Sequence, residues 1–340
     1  MTARRRVYVV YAGGTIGMRA TEAGYAPVPG YLSAAVAGVP ELVEAEVPEL
    51  LVNEHAPLLD SANARPADWL AIARDIAARA RTDEFDGFVV LHGTDTMAYT
   101  ASALAFLLRG LGRPVVVTGA QIPIGVLRSD GRQNLLTAVL VAARADVREV
   151  CLVFGSRILR GCRAVKESAS GFEAFSSPNL PPLGSAGVEI ALDPARLQTP
   201  EPGGVRLPDA LDAPVRLLRL YPGMPAELLR AALAPPARGL VLEAYGAGNL
   251  PDRDPELLAA LAEGAARGVV VVAVSQCLDG RVDLGAYAAS APLVAAGAAG
   301  GLDLTTEAAY AKLVVLLSAG PAPDEVRALM TRDLCGELTT

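Results

Sequence analysis

The chain has 340 residues, 52% of them apolar and 20% charged, and its 37 acidic side chains against 30 basic ones give a net charge of -7. That composition can bury a large core, which excludes wholesale disorder, and an acidic balance without long basic runs argues against nucleic acid or an anionic membrane as the main partner. The length exceeds what one hydrophobic core usually organises, roughly 250–300 residues, so two domains are expected. The basic residues are 28 arginines and two lysines, Lys166 and Lys312. Arginine supplies charge equally well but cannot lose its proton for chemistry, so each remaining lysine calls for a reason; Lys312, in a helical stretch, is read as an ordinary helix lysine. Cys151, Cys162, Cys277 and Cys335 lie far apart with no CxxC pair, a spacing that fits reduced thiols better than a disulfide framework or zinc site. With His55 and His92 the only imidazoles, no metal is expected.

Arg4-Arg5-Arg6 before an apolar run superficially resembles a signal peptide, but Gly13-Gly14 ends the run at or below the short end of an h-region, roughly 7–15 residues. The segment is read as a first strand, 7–11. Further strands are predicted at 88–91, 115–118 and 150–154. Between the first two, Trp69, Ile72, Ala73, Ile76, Ala77 and Ala80 share one face of an amphipathic helix. Helices are also expected over 97–108 and 132–144. From 176 to 214 periodicity gives way to proline- and glycine-rich segments at 177–182 and 200–204. Strands at 215–220, 239–243 and 269–274 then alternate with helices at 226–233 and 255–266, and helices at 306–317 and 323–332 close the chain. The fold expected is two α/β domains: a larger N-terminal domain, 1–190, with a mainly parallel sheet, a linker, 191–213, and a smaller C-terminal domain, 214–340. No stretch approaches the roughly 18 apolar residues of a membrane span, so a soluble, cytoplasmic protein is expected.

In open α/β sheets ligands bind beyond the carboxyl ends of the strands. After the first strand, Gly13-Gly14-Thr15 makes either a tight exit or a turn that exposes the Thr15 hydroxyl. It matches neither GxxxxGK[ST] nor GxGxxG, so it is not read as a phosphate loop. Tyr25 lies in a stretch of little periodicity that suits a lid. Asp60 and Ser61 offer a carboxylate and a hydroxyl; a helix cap is the plain alternative, although Pro66 implies that the helix starts later. His92-Gly93-Thr94-Asp95-Thr96 repeats the strand–turn–helix pattern, with Thr94 and Asp95 near a helix N-terminus that favours anions. Capping accounts for Asp95 or Thr96 without function, and packing for His92. Lys166 follows the fourth strand; it is either a surface lysine beside Glu167 or a desolvated amine able to accept a hydroxyl proton.

Together Tyr11-Ala-Gly-Gly-Thr-Ile-Gly-Met18, His92-Gly-Thr-Asp-Thr-Met-Ala-Tyr99, Thr118-Gly-Ala-Gln-Ile-Pro123 and Arg128-Ser-Asp-Gly131 resemble the bacterial-type L-asparaginases, specifically the cytoplasmic type I branch, over essentially the whole chain. The resemblance implies hydrolysis of L-asparagine to L-aspartate and ammonia without metal or organic cofactor. It implies that Thr15 is the nucleophile of an acyl-enzyme and Tyr25 a mobile proton carrier, with Thr94, Asp95 and Lys166 as a second catalytic group. It assigns the substrate's α-amino and α-carboxylate groups to Asp60, Ser61 and Asp95. Ala62 departs from a hydroxyl residue of close relatives, which leaves one carboxylate contact missing or made by backbone. The family forms dimers of intimate dimers, so a homodimer or homotetramer is implied, with Asn249 matching a position contributed by the partner. Glu243 and Val165 stand where some relatives carry an arginine and a threonine of an activating site, which implies that this form of allostery is absent. Glutaminase-asparaginase and the amidase subunit of a tRNA-dependent amidotransferase are the alternatives; the latter carries an extra N-terminal domain, whereas this chain opens on its first strand. An N-terminal-threonine mechanism at Thr2 lacks support from its neighbours.

Overall fold

The computed structural model describes residues 4–22, 24–199 and 203–339; Thr2 and part of the proline-rich stretch at 200–204 lie outside them. The chain divides into two compact units, Met1–Ser177 with Pro181–Leu207, and Pro178–Leu180 with Pro208–Thr340.

In the first unit the strands are β1 Arg6–Gly13, β2 Met18–Thr21, β3 Gly24–Pro27, β4 Glu49–Leu59, β5 Gly87–Leu91, β6 Val115–Thr118, β7 Val150–Phe154, β8 Arg157–Arg160, β9 Val165–Lys166, β10 Phe175–Ser176, β11 Gly184–Ala186 and β12 Ile190–Leu192. Its helices are α1 Tyr31–Ala37, α2 Pro66–Ala80, α3 Met97–Leu107 and α4 Gly131–Ala142. Eight strands form one sheet in the order β12-β11-β8-β7-β6-β5-β1-β4. The run from β4 to β7 is parallel, and β8, β11 and β12 are joined by antiparallel pairings. The sheet is thus mainly parallel, as expected. The inner strands β5, β6 and β7 are buried along their whole length, which is why they read as unbroken apolar runs.

Three parts of this sheet lie where no strand was predicted: β4, β8 and the pair β11 and β12. Edge strand β4 carries Asn53, Glu54 and His55, and the period of two sends them to opposite faces. Asn53 Nδ2 and His55 Nε2 approach Asp75 Oδ2 of α2 at 3.0 and 3.1 Å, whereas Glu54 accepts hydrogen bonds from the Gly30 and Ser33 N–H groups and the Ser33 hydroxyl. Partners on both sides satisfy these polar side chains, so the strand shows no apolar signal. Strand β8 returns directly after β7 and pairs with it antiparallel, and β11 and β12 lie inside the stretch read as irregular; of the linker expected over 191–213, Ala191 and Leu192 belong to β12.

Helix α2 opens with Pro66 at its first position, and the Asp68 carboxylate accepts from the Arg65 N–H at 2.7 Å. It buries Trp69, Leu70, Ile72, Ala73, Ile76 and Ala77, most of the face read from the sequence.

In the second unit, β13 Val215–Arg219, β14 Gly239–Ala244, β15 Val270–Ser275 and β16 Ala299–Gly300 form a parallel sheet in that order. Its helices are α5 Ala226–Leu233, α6 Pro255–Ala266, α7 Ala291–Ala295, α8 Thr306–Ser318 and α9 Pro323–Met330. Leu240, Leu242, Val271 and Ala273 pack with Leu229, Leu233, Leu257 and Leu261 on one face. Val241, Val270, Val272 and Val274 pack with Leu313, Leu317, Val326 and Met330 on the other. This makes a three-layer α/β domain, smaller than the first.

Lys312 is not an ordinary helix lysine. It is fully buried in α8, with Nζ 2.6 Å from Glu337 Oε1, 2.6 Å from the Arg332 carbonyl and 3.2 Å from the Met330 carbonyl. The three donors of one ammonium are thereby used, and the planar guanidinium fork does not fit so compact a set. Burial raises the Glu337 carboxyl, but Lys312 holds it below its ordinary range. Sequence periodicity could not show this, because the partners lie 18 to 25 residues away. Among the described residues, no helix is long and apolar enough to cross a membrane.

Candidate active site

The turns after β1, β4 and β5 meet at the carboxyl edge of the first sheet. Gly14 has φ 96°, and a Cβ there would overlap the backbone of Gly93; a Cβ on Gly93 would in turn overlap the Ser61 hydroxyl. Glycine at these two positions lets the Gly14 and Gly93 backbones and the Ser61 side chain approach as added side chains would forbid. Thr15 follows Gly14 as the first residue of a single 3-10 turn and is half-buried. The chain then enters the β2–β3 hairpin, where β3 packs on the Thr15 turn and Tyr25 is 55% exposed.

After β4, Asp60 caps a short 3-10 turn, Ser61–Asn63, its carboxylate accepting from the Ala62 N–H at 3.3 Å. Ser61 is buried, and its carbonyl accepts from the Thr96 hydroxyl at 2.8 Å, tying this turn to the one after β5. The capping alternative for Asp60 therefore holds, but for the short turn and not for α2.

Thr94 and Asp95 precede α3. Lys166 Nζ of β9 lies 2.8 Å from Thr94 Oγ1 and 2.7 Å from Asp95 Oδ1. Residues more than 70 positions apart are thus joined, and the lysine is not the surface partner of Glu167 alone. Asp95 is largely exposed and has lone pairs to spare for a cationic ligand. The group comprises a hydroxyl, an amine able to exchange a proton with it, and a carboxylate that fixes the amine.

His92 takes the packing role. Burial holds its imidazole below the ordinary value; Nδ1 lies 2.8 Å from the Gly93 carbonyl and Nε2 3.1 Å from Thr100 Oγ1. An Nδ1-protonated neutral ring satisfies both contacts. Tyr11 is similarly buried, its phenol pushed well above the ordinary value by burial and then by Glu54.

Residues of the Thr118–Pro123 and Arg128–Gly131 motifs, for which the sequence suggested no role, form a polar support behind the site together with Asn134. Asp130 accepts from the Gln121 and Ile122 N–H groups at 2.9 and 3.0 Å, and Asn134 Nδ2 donates to it at 3.1 Å and to the Gly119 carbonyl at 2.9 Å. Gln121 Oε1 lies 3.4 Å from Thr94 Oγ1. Their polarity just after a buried strand was the available signal.

Asn249 belongs to the second unit, in the turn after β14, where its Oδ1 is buried without a hydrogen-bond partner. Glu243, near the end of β14, accepts from the Thr306 hydroxyl at 2.7 Å and faces Arg219 at 3.6 Å. Val165 is buried beside Lys166.

The model of the asparaginase N-terminal domain matches residues 6–197, and that of the glutaminase/asparaginase C-terminal domain matches residues 214–330. The chain is 46% identical to L-asparaginase 1 of Escherichia coli over 340 residues, covering 99% of this chain and 98% of that protein. It is 33% identical to a glutamyl-tRNA(Gln) amidotransferase subunit of Pyrococcus horikoshii, covering 98% of this chain and 76% of the other. The crystal structure of L-asparaginase I from Vibrio cholerae superposes with a TM-score of 0.88 at 45% identity, covering 99% of this chain and 100% of that one. Two matching domain models and full-length identity far above the level of chance lead to one conclusion: the chain belongs to the asparaginase family.

Proposed function

We propose that this protein is an L-asparagine amidohydrolase of the type I branch, working through a threonyl acyl-enzyme. The observation that carries the reading is the contact of Lys166 Nζ with both the Thr94 hydroxyl and Asp95, 2.8 and 2.7 Å away, on the sheet edge that also bears the Thr15 turn. The 46% identity to an L-asparaginase supports it.

Thr15 Oγ attacks the side-chain amide carbon of asparagine. Its proton passes to the leaving nitrogen, with Tyr25 on the adjacent hairpin as carrier, and ammonia departs to leave an aspartyl ester. Water then attacks the ester and gives one proton to Thr94 and Lys166; that proton passes to the Thr15 oxygen as the ester bond breaks, restoring the hydroxyl, and the aspartate carboxyl releases the other water proton to solvent. The Asp60 and Asp95 carboxylates suit an α-ammonium group, and Ser61 with the N–H groups preceding α3 suits an α-carboxylate. The Ala62 N–H turns toward Asp60 at 3.3 Å, so in this scheme Ser61 alone supplies a side-chain hydroxyl to the carboxylate, without the second one that close relatives carry at position 62. The domain 1–190 carries this chemistry.

A second copy of the chain, in a homodimer or homotetramer, completes the site with Asn249; its buried, unpartnered Oδ1 is the reason to assign it a ligand-facing role. Four cysteines outside any disulfide accord with a cytoplasmic location. Glutamine, one methylene longer, is a slower substrate, since a methylene is worth about 1–3 kcal/mol in a pocket. The test is ammonia release from asparagine and glutamine by the purified protein: turnover of asparagine is expected, and turnover of neither amide refutes the reading.

A further inference from the structure

The side-chain amide of Gln121 is held in one orientation. Its Nε2 reaches the Gly171 carbonyl at 3.1 Å and the Ser168 carbonyl at 3.4 Å, and carbonyls only accept, so the nitrogen occupies that side. Oε1 is then the atom 3.4 Å from Thr94 Oγ1. An amide oxygen cannot donate, so the Thr94 hydroxyl hydrogen points at Gln121. Lys166 Nζ donates to the same Oγ1 at 2.8 Å. Thr94 therefore accepts from the lysine and donates to the glutamine. The backbone of Gln121 is fixed by the Asp130 carboxylate, 2.9 Å from its N–H.

We propose that Gln121 is a positioning residue: its amide oxygen keeps the Thr94 hydroxyl proton turned away from Lys166 while the lysine is charged. Proton transfer follows only when Lys166 has lost its own proton and the hydroxyl has rotated from Gln121 to Nζ. The Thr94 proton then moves to Nζ, leaving an alkoxide and an ammonium, with charge balanced. Gln121 thus favours the charged lysine and sets the pH at which the pair becomes a base. This inference rests on the asparaginase reading.

Among the described residues, the charged groups on and beside the elements that carry the pair include Asp95, before α3, and Asp130, before α4. Glu167 follows Lys166 in the chain, and Glu173, before β10, is turned to the Ser156 N–H and Arg157. Helix α3, packed against β9, contributes no charge and one titratable group, Tyr99; β10 contributes neither.

The experiment is kcat/KM for asparagine against pH on the full chain, for wild type, Gln121→Met and Gln121→Glu, with a thermal melt of each. Methionine removes the acceptor, and the acidic limb of the profile moves to lower pH by about 0.5–1 unit, the size of one ordinary hydrogen bond. Glutamate keeps an oxygen toward Thr94 but adds a negative charge, and the limb moves to higher pH. A glutamine that only supported the 168–171 loop would lower both rates without moving the limb, and an unmoved limb, or shifts of the same sign, overturns the proposal. If Gln121→Glu does not fold, the methionine shift decides alone. Wild-type protein that turns over no asparagine overturns the functional reading itself, an outcome distinct from an unmoved limb in an active enzyme.

Discussion

Lys166→Arg separates charge from chemistry. The guanidinium can still pair with Asp95, which lies 2.7 Å from the present ammonium, and can still donate to Thr94 Oγ1. It cannot take the Thr94 proton, since an arginine stays charged throughout the working range. A positioned acid–base group contributes about 10²–10⁴ to rate, or about 3–5 kcal/mol at 1.36 kcal/mol per decade. Stability changes by less than about 1 kcal/mol, because the Asp95 side chain is 65% exposed and solvent screens the pair. Steady-state kinetics with asparagine, paired with a denaturant melt, should show kcat reduced at least a hundredfold, KM within a few-fold of wild type and an unmoved midpoint. An arginine variant within tenfold of wild-type kcat would refute the assignment of Lys166 as the proton-accepting group.

The other lysine predicts the reverse pattern. Lys312→Met leaves the Glu337 carboxylate buried without its counter-ion and costs about 3–5 kcal/mol in a denaturant titration, whereas Lys312→Met with Glu337→Leu recovers much of the loss; equal losses would contradict the pair's role. Burial raises the Asp75 carboxyl, but hydrogen bonds from His55, Asn53 and Tyr8 outweigh it and hold the group below its ordinary value. A depressed folded value stabilises above the unfolded value and is lost as pH falls through the folded one, so Asp75→Asn should destabilise by about 1–3 kcal/mol at pH 7 and by progressively less below about pH 4. Melts of both proteins across that range check it, and a gap independent of pH would contradict it. The rate curve for asparagine should be hyperbolic, since Glu243 presents a carboxylate engaged with Thr306 and Arg219; a sigmoidal curve abolished by mutation near Glu243 would overturn this.

What the sequence made legible follows from where polarity was placed. Strands β5, β6 and β7, buried on both faces, are apolar runs, and the polar turns after β1 and β5 stand out against them, so Thr15, Thr94 and Asp95 were visible as strand-end residues. Edge strand β4 was not, because Asn53, Glu54 and His55 find partners on α1 and α2 and mask the alternation. Strands β11 and β12, at the antiparallel end of the sheet, hid in a proline- and glycine-rich stretch. The scarcity of lysine singled out Lys166, which the structure joins to Thr94 and Asp95, but gave no reason for Lys312, whose partners, Met330, Arg332 and Glu337, lie beyond the range of any local pattern. Gln121 lay within the Thr118–Pro123 motif, yet its relation to Thr94 depends on the spacing of β5 and β6 and the return of the chain at Gly171.

The central claim is the covalent step at Thr15. Protein quenched in acid during steady-state turnover of asparagine, digested and weighed by mass spectrometry, should show the peptide containing Thr15 carrying an added aspartyl group, absent from Thr15→Ala and from enzyme without substrate. An active enzyme whose Thr15→Ala variant keeps wild-type turnover, or whose adduct lies on another residue, would contradict the account.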